Sequence, residues 1–298
     1  MDKLWSYPSA AKLCRQWELT PNKNFGQNFL DKAEIIYKII APFALDPQST
    51  VLEIGPGLGH LSYAILSQGA SLTSLEIDQK LEPALETLAH EYPQFTVLWG
   101  DALARNWEEF SQSNKKLYCI ANVPYYLSSE ILLKALLELW EAKAMALLLQ
   151  REVAEKFAAK PGSRLYGPLA ALAALYGEAK LSLRIPAQAF YPPPTIESRV
   201  LYLTKWQDFT AEPGRVEREA FWNFLQGVFA TRRKTLRNNL KAFLTSEDLK
   251  ISEDLKIDVE FVLEGLDQDP KVDLGLRPEM LSARQLWYIF KSLGQLKA

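Results

Sequence analysis

The 298 residues are 48% hydrophobic and include 8 Trp, apolar mass enough for one large domain or a large domain and a small one. Lysine and arginine (34) nearly balance aspartate and glutamate (36), so the net charge of -2 announces no polyanionic partner, and one would have to be met by a local basic patch. No apolar run approaches the ~20 residues of a membrane span, the N-terminus lacks a signal-peptide layout, Cys14 and Cys119 show no metal spacing, and neither His60 nor His90 has cysteine ligands nearby; reduced thiols, no metal, no membrane and a cytoplasmic location are expected.

Residues 1–30 read as irregular or weakly helical and end in Lys23-Asn24-Phe25-Gly26-Gln27-Asn28-Phe29-Leu30. Over 31–44, Ile35, Ile36, Ile39, Ile40 and Phe43 recur at helical spacing. Strands are then expected near 50–54, 71–75, 95–98, 117–121, 143–149, 180–185 and 198–204, with helices near 58–67, 79–90, 128–138, 150–159 and 167–176. That alternation predicts an α/β fold, a Rossmann-like and largely parallel sheet with helices on both faces. The last two strands follow each other without an intervening helix, which predicts an antiparallel edge. After Glu212-Pro213-Gly214 the pattern turns wholly helical, with amphipathic segments near 216–230, 232–244, 258–264 and 282–293. The expected organisation is a domain over 1–210 and a small all-helical domain over 211–298.

The first strand runs into Glu53-Ile54-Gly55-Pro56-Gly57-Leu58-Gly59, and the second closes on Leu75-Glu76-Ile77-Asp78. A strand, a glycine turn, a helix, a strand and an acid form the layout that binds an adenosine-containing cofactor. A dinucleotide fingerprint wants its third glycine one position later, where His60 stands. The Gly-x-Gly-x-Gly spacing instead suits S-adenosylmethionine, which needs close backbone approach but offers no pyrophosphate. His60 reads as a solvent-side or helix-start residue rather than a catalyst.

Gly100-Asp101-Ala102 and Asn122-Val123-Pro124-Tyr125 follow the third and fourth strands, at carboxyl ends where open α/β sheets bind ligands. Asp101 can accept from the cofactor's adenine amine and Glu76 can take the ribose hydroxyls; the plainer alternatives are a turn cap and an ordinary post-strand acid. Asn-x-Pro-Tyr speaks to the substrate. An exocyclic amine on a planar ring is a poor nucleophile, because its lone pair is delocalised. If the Asn122 oxygen and the Pro124 carbonyl accept its two protons, the lone pair is turned towards the methyl donor, a matter of positioning and electrostatics. Tyr125 offers a face on which the base can stack. A plain strand-to-loop turn is the alternative reading.

With these motifs in this order, the chain resembles the ribosomal RNA adenine-N6,N6-dimethyltransferase family, and specifically its bacterial small-subunit group, over roughly residues 23–293. Also carrying the resemblance are Leu149-Gln150-Arg151-Glu152-Val153-Ala154, Tyr166-Gly167-Pro168-Leu169, Phe190 to Ser198 and Arg232 to Leu240. It implies a class I methyltransferase domain and cofactor contacts at Asn28, Leu30, Gly55, Gly57, Glu76, Asp101 and Asn122. It also implies that Phe190 flanks the flipped adenine opposite Tyr125, so that Asn122, Pro124, Tyr125 and Phe190 form the catalytic set. The implied reaction is dimethylation of N6 on two adjacent adenosines near the 3′ end of 16S rRNA, within an assembling small ribosomal subunit, by a chain expected to act as a monomer. Two departures are Val123, where the family often has Leu, and Thr195-Ile196-Glu197, where Lys-Val-Asp is commoner; the missing lysine is expected to weaken one phosphate contact.

Arg232, Arg233, Lys234, Arg237 and Lys241 are the expected RNA-binding residues. If helical, 233, 237 and 241 share one face with 234 beside them, while Phe229, Leu236 and Leu240 face the core. Such a stripe can neutralise backbone phosphates, or it can be a solvated helix face. Lys156, Lys160 and Arg164 form a looser second cluster. The rivals are the large-subunit rRNA adenine methyltransferase of macrolide resistance and a non-catalytic assembly or transcription factor on the same fold.

Overall fold

The computed structural model describes residues 5–22, 25–111, 116–207, 213–245 and 259–296. Lys23 and Asn24, which open one of the motifs, and Asp258, where a helix was expected to begin, lie outside the described residues. The described chain forms two compact units, residues 1–155 with 178–206, and residues 156–177 with 207–298. The composition change predicts one boundary near 210; the chain crosses between units three times, and 156–177 goes with the helical unit.

In the first unit, α1 (Ala10–Gln16), β1 (Phe29–Leu30) and α2 (Ala33–Ile40) precede the sheet proper. Then follow β2 (Ser49–Ile54), α3 (His60–Leu66), β3 (Ser71–Glu76), α4 (Glu82–Glu91), β4 (Phe95–Trp99), β5 (Lys116–Asn122), α5 (Ser128–Glu138), β6 (Ala144–Gln150) and α6 (Arg151–Phe157), whose last two residues fall in the second unit. After α7 (Pro168–Tyr176), which belongs to the second unit, come β7 (Gly177–Ile185), β8 (Phe190–Tyr191) and β9 (Ser198–Lys205). Seven strands form one sheet in the order β4-β3-β2-β5-β6-β9-β7. The pairings β4–β3, β3–β2, β2–β5 and β5–β6 are parallel, and β9 runs antiparallel to β6, with Gln150 opposite Ser198. The antiparallel strand expected at the end of this unit is there, inserted between β6 and β7.

The central strands are near-continuous apolar runs, as strands covered on both faces must be; Leu117–Ala121 and Met145–Leu149 are all buried. A second, two-stranded sheet pairs β1 with β8 antiparallel, setting Leu30 opposite Phe190 and Phe29 opposite Tyr191. The order of the large sheet reverses between β2 and β5, because the chain builds outward to β4 and returns to add β5 and β6 on the other side. Ligands of open α/β sheets bind at the carboxyl ends flanking such a switch point.

The second unit packs α7 with α8 (Arg215–Val228), α9 (Leu236–Leu244), α10 (Val259–Asp267) and α11 (Ala283–Leu296). Its core holds Phe221, Phe224, Leu240, Leu263 and Leu286, all buried, and Phe221 meets Trp287 edge-on at 4.9 Å. The helix expected over 232–244 begins only at Leu236. Thr235 accepts from the Asn238 N–H and starts it, and Arg232 to Lys234 lie in the turn before it. No described helix is long and apolar enough to cross a membrane.

Candidate active site

A cavity opens at the switch point, walled by the glycine loop after β2, the end of β3, the Gly100–Ala102 turn, the Asn122–Leu127 segment and residues 25–30. Four of these segments, separated in sequence, meet there because each follows a parallel strand.

The glycine loop is held from both sides. Gly55 N–H donates to the Leu75 carbonyl at 2.9 Å, and Gly57 N–H donates to Glu76 Oε2 at 3.1 Å. Gly57 sits at φ +58°, a left-handed backbone, and a Cβ there would come within 2.8 Å of the Phe29 ring. The loop is therefore a hollow that only glycine keeps open. Glu76 is 5% exposed, and its Oε1 accepts from the N–H groups of Ile77 and Asp78, both at 2.9 Å. Burial pushes its carboxyl up, while those three backbone bonds pull it down. Three N–H groups already engage a carboxylate with about four acceptor sites, so capacity remains for one incoming hydroxyl rather than two.

Asp101 lines the cavity and is exposed, and its Oδ1 also accepts from Leu103 N–H at 2.9 Å, so the turn-cap alternative describes one of its two oxygens. Asn28 and Leu30 also line the cavity. Asn122 Nδ2 donates to the Asn28 carbonyl at 3.0 Å, which fixes the amide plane and leaves Oδ1 as its acceptor. The Pro124 carbonyl accepts from Leu127 N–H at 3.0 Å, and the Ser128 hydroxyl stands 3.5 Å from it while lying closer, at 3.0 Å, to the Tyr125 carbonyl. The Tyr125 hydroxyl lies 2.7 Å from Ser198 Oγ, pinning the ring to the last residue of the Phe190–Ser198 block.

Phe190 is placed differently from the other expected site residues. It is 3% exposed, packed in the hydrophobic core behind Leu30, and it is not part of the cavity wall. Tyr191 beside it is 38% exposed.

The structure adds groups the sequence did not single out. Gln27 Nε2 donates to Asp78 Oδ2 at 2.7 Å and its Oε1 accepts from Asn22 N–H, tying Asn22 and Gln27 to the residues just past β3. Ile77 and Tyr126, both exposed, also line the cavity. Glu53 is buried beneath the loop, where its Oε2 accepts from the hydroxyls of Ser62 (2.6 Å) and Ser74 (2.7 Å), and burial lifts its carboxyl to about 7. His60 does begin α3, but it is buried and not solvent-side.

The basic residues are differently employed than a helical stripe implies. The Arg232 guanidinium donates to the carbonyls of Arg164 and Tyr166 and so serves the fold of the second unit. Arg237 pairs with Asp267 and Lys241 with Glu260, acids supplied by α10. Arg233 and Lys234 are exposed.

Comparison with known proteins places this constellation. Residues 19–273 match the family described as "Ribosomal RNA adenine dimethylase". The chain is 36% identical to the ribosomal RNA small subunit methyltransferase A of Shouchella clausii, covering 85% of this chain and 84% of that one. It is 37% identical to the protein of the same name from Syntrophotalea carbinolica, covering 93% and 96%. Among solved structures, a dimethyladenosine transferase from Plasmodium falciparum superposes with a TM-score of 0.73 at 23% identity, over 90% of this chain and 98% of that one. The 23S rRNA methyltransferase ErmE gives 0.61 at 22%, over 90% and 100%. At those identities the two structures speak for the fold, a class I methyltransferase sheet. With the match running from before the Gln27-Asn28 segment to well beyond β9, the chain belongs to the ribosomal RNA adenine dimethylase family.

Proposed function

We propose that the chain transfers methyl groups from S-adenosylmethionine to N6 of two adjacent adenosines near the 3′ end of 16S rRNA, twice on each base, acting in the cytoplasm as a monomer on an assembling small subunit. The observation that carries the reading is the Asn122 amide, anchored through Nδ2 to the Asn28 carbonyl so that Oδ1 is its acceptor at the cavity. An N6 amine has two protons to give, and Asn122 Oδ1 with the Pro124 carbonyl, whose 3.5 Å contact from the Ser128 hydroxyl is long enough to yield, is a matched pair of acceptors. Holding both protons directs the nitrogen lone pair out of conjugation and towards the donor, with no strong base required. Tyr125, its hydroxyl held by Ser198, presents a ring fixed in place for a base that has left its stack.

The residues present fit the cofactor. The hollow at Gly57 admits close backbone approach, Glu76 retains an acceptor for a ribose hydroxyl, and Asp101 stands at the cavity wall for an adenine amine. When bound, S-adenosylmethionine supplies an electrophilic methyl group. The curated relatives carry small-subunit names, which favours 16S over 23S rRNA as the substrate. Of the basic residues, Arg233 and Lys234 are the ones we assign to phosphate contact, since Arg232 is taken by carbonyls and Arg237 and Lys241 by acids.

Unmethylated small subunits, supplied with labelled S-adenosylmethionine, should accept up to two methyl groups on each of two adenines, and protein-free 23S rRNA almost none. Labelling of 23S rRNA instead would favour the resistance-type activity, and labelling of neither would favour an assembly factor. Arg233→Glu with Lys234→Glu should weaken particle binding and flatten its salt dependence while leaving cofactor affinity unchanged.

A further inference from the structure

Residues 5–9 precede the part of the chain that matches the family, yet they are laid against the glycine loop and the start of α3. The Tyr7 hydroxyl donates to the Leu58 carbonyl at 2.7 Å, between the second and third loop glycines. A Cβ at Gly59 would lie 2.9 Å from that same hydroxyl, so the third glycine makes room for the phenol. His60 Nε2 stands 2.9 Å from the Pro8 carbonyl; a carbonyl only accepts, so Nε2 carries the proton. Ser6 Oγ lies 2.9 Å from the Tyr63 hydroxyl, the rings of Tyr7 and Tyr63 stack at 4.9 Å, and Trp5 meets Tyr63 edge-on at 5.2 Å. Behind this, Ala10 N–H donates to Asp31 Oδ2 at 3.1 Å. Burial pushes the Tyr7 phenol up and the His60 imidazole down to about 4, so both groups are neutral hydrogen-bonding partners at physiological pH. Leu58 and His60, two of the residues the strap holds, also line the cavity.

We infer that Tyr7 is a positioning residue for the cofactor loop, acting through the Leu58 carbonyl, and that residues 5–9 form a strap holding Gly57-Leu58-Gly59 in its binding conformation. The inference rests on reading the cavity as the S-adenosylmethionine site. A loop with glycines at φ +58° and +81° has many alternative conformations, and apparent affinity scales with the fraction that is competent to bind. A hydrogen bond that fixes the carbonyl between those two glycines raises that fraction.

The test measures S-adenosylmethionine binding by calorimetry, steady-state kinetics on small subunits, and melting, all on the full chain. Tyr7→Phe should raise both Kd and KM for the cofactor about three- to tenfold, the scale of one net hydrogen bond, with kcat and the particle KM unchanged. Tyr37→Phe alters the same aromatic cluster, its ring 5.7 Å from Trp5, without touching the loop, and should leave cofactor affinity alone. His60→Gln keeps an N–H for Pro8 and should retain more affinity than His60→Leu. Unchanged affinity in folded Tyr7→Phe, or an equal loss in Tyr37→Phe, overturns the inference. A parent chain that binds no S-adenosylmethionine overturns the cofactor reading itself and the strap's role with it.

Discussion

One methyl group at Gly57 tests the loop most directly. The left-handed backbone there costs a non-glycine residue about 1–2 kcal/mol. The added Cβ would sit 2.8 Å from Phe29 Cδ1 and 3.0 Å from Cε1, and forcing a methyl into such a gap costs about 1–3 kcal/mol more. Phe29 cannot simply withdraw, because it is buried on β1 and that strand is paired with β8. The total is about 2–5 kcal/mol. If the loop yields and the fold does not, Gly57→Ala binds S-adenosylmethionine about 30- to several thousand-fold more weakly with its melting temperature preserved. If the loop keeps its shape, the same cost is read as a fall in melting temperature. Calorimetric titration and thermal melts on the same samples divide the two. An affinity within a few-fold of the parent together with an unshifted melt would refute the reasoning, since the strain would then have no outlet.

Asn122→Ala removes one acceptor of the amine pair and should lower kcat about 10²–10³-fold at saturating cofactor with the fold intact; turnover within a few-fold of the parent in a single-turnover assay contradicts the role. Glu76→Ala strips the N–H groups of Gly57, Ile77 and Asp78 of their shared acceptor, and should raise the cofactor Kd while kcat at saturation changes little; calorimetry showing unchanged affinity rejects it. Glu53 titrates near 7 in the folded chain against 4.5 for the free group, so the unfolded chain loses this proton first. Glu53's own contribution to stability should therefore fall as pH rises between those values, by about 3 kcal/mol, while His60, lowered from 6.5 to about 4, contributes in the opposite sense over nearly the same range. Glu53→Gln should remove that fall, and urea titrations at about pH 5 and about pH 8 that show parent and variant changing alike would exclude it.

The large sheet was legible because its strands carry the signal twice, as apolar runs and as the chemistry at their ends. Gly55, Glu76, Asp101 and Asn122 each close a parallel strand, so their order along the chain already implied a shared rim. What escaped was decided by partners distant in sequence. Nothing local marks 156–177 as part of the helical unit, because α7 is apolar on nearly every side and suits either core equally. The basic stripe departs from a single helix face for a similar reason. Arginine spacing predicts a helix face, but Thr235 starts the helix after Arg233 and Lys234, and the acids that occupy Arg237 and Lys241 come from α10. Phe190 gives no local sign of facing the core, since Phe190 and Tyr191 alternate across a two-residue strand and only the pairing with β1 says which of them turns inward.

The excursion of 156–177 into the helical unit has a consequence during synthesis. Helix α7 buries Ala170, Ala171, Leu172, Ala173, Leu175 and Tyr176, and its partners α8 and α11 are made later, α11 at the far end of the chain. At translation rates of roughly 5–20 residues per second, this apolar helix waits for seconds before those partners emerge, flanked in sequence by strands of a sheet already free to assemble. A nascent chain halted just after β9 would hold a complete set of sheet strands and an orphaned α7, the part of the molecule most exposed to aggregation or to capture by a chaperone. A truncation that removes α8 and α11 therefore strands a helix encoded near the middle of the gene.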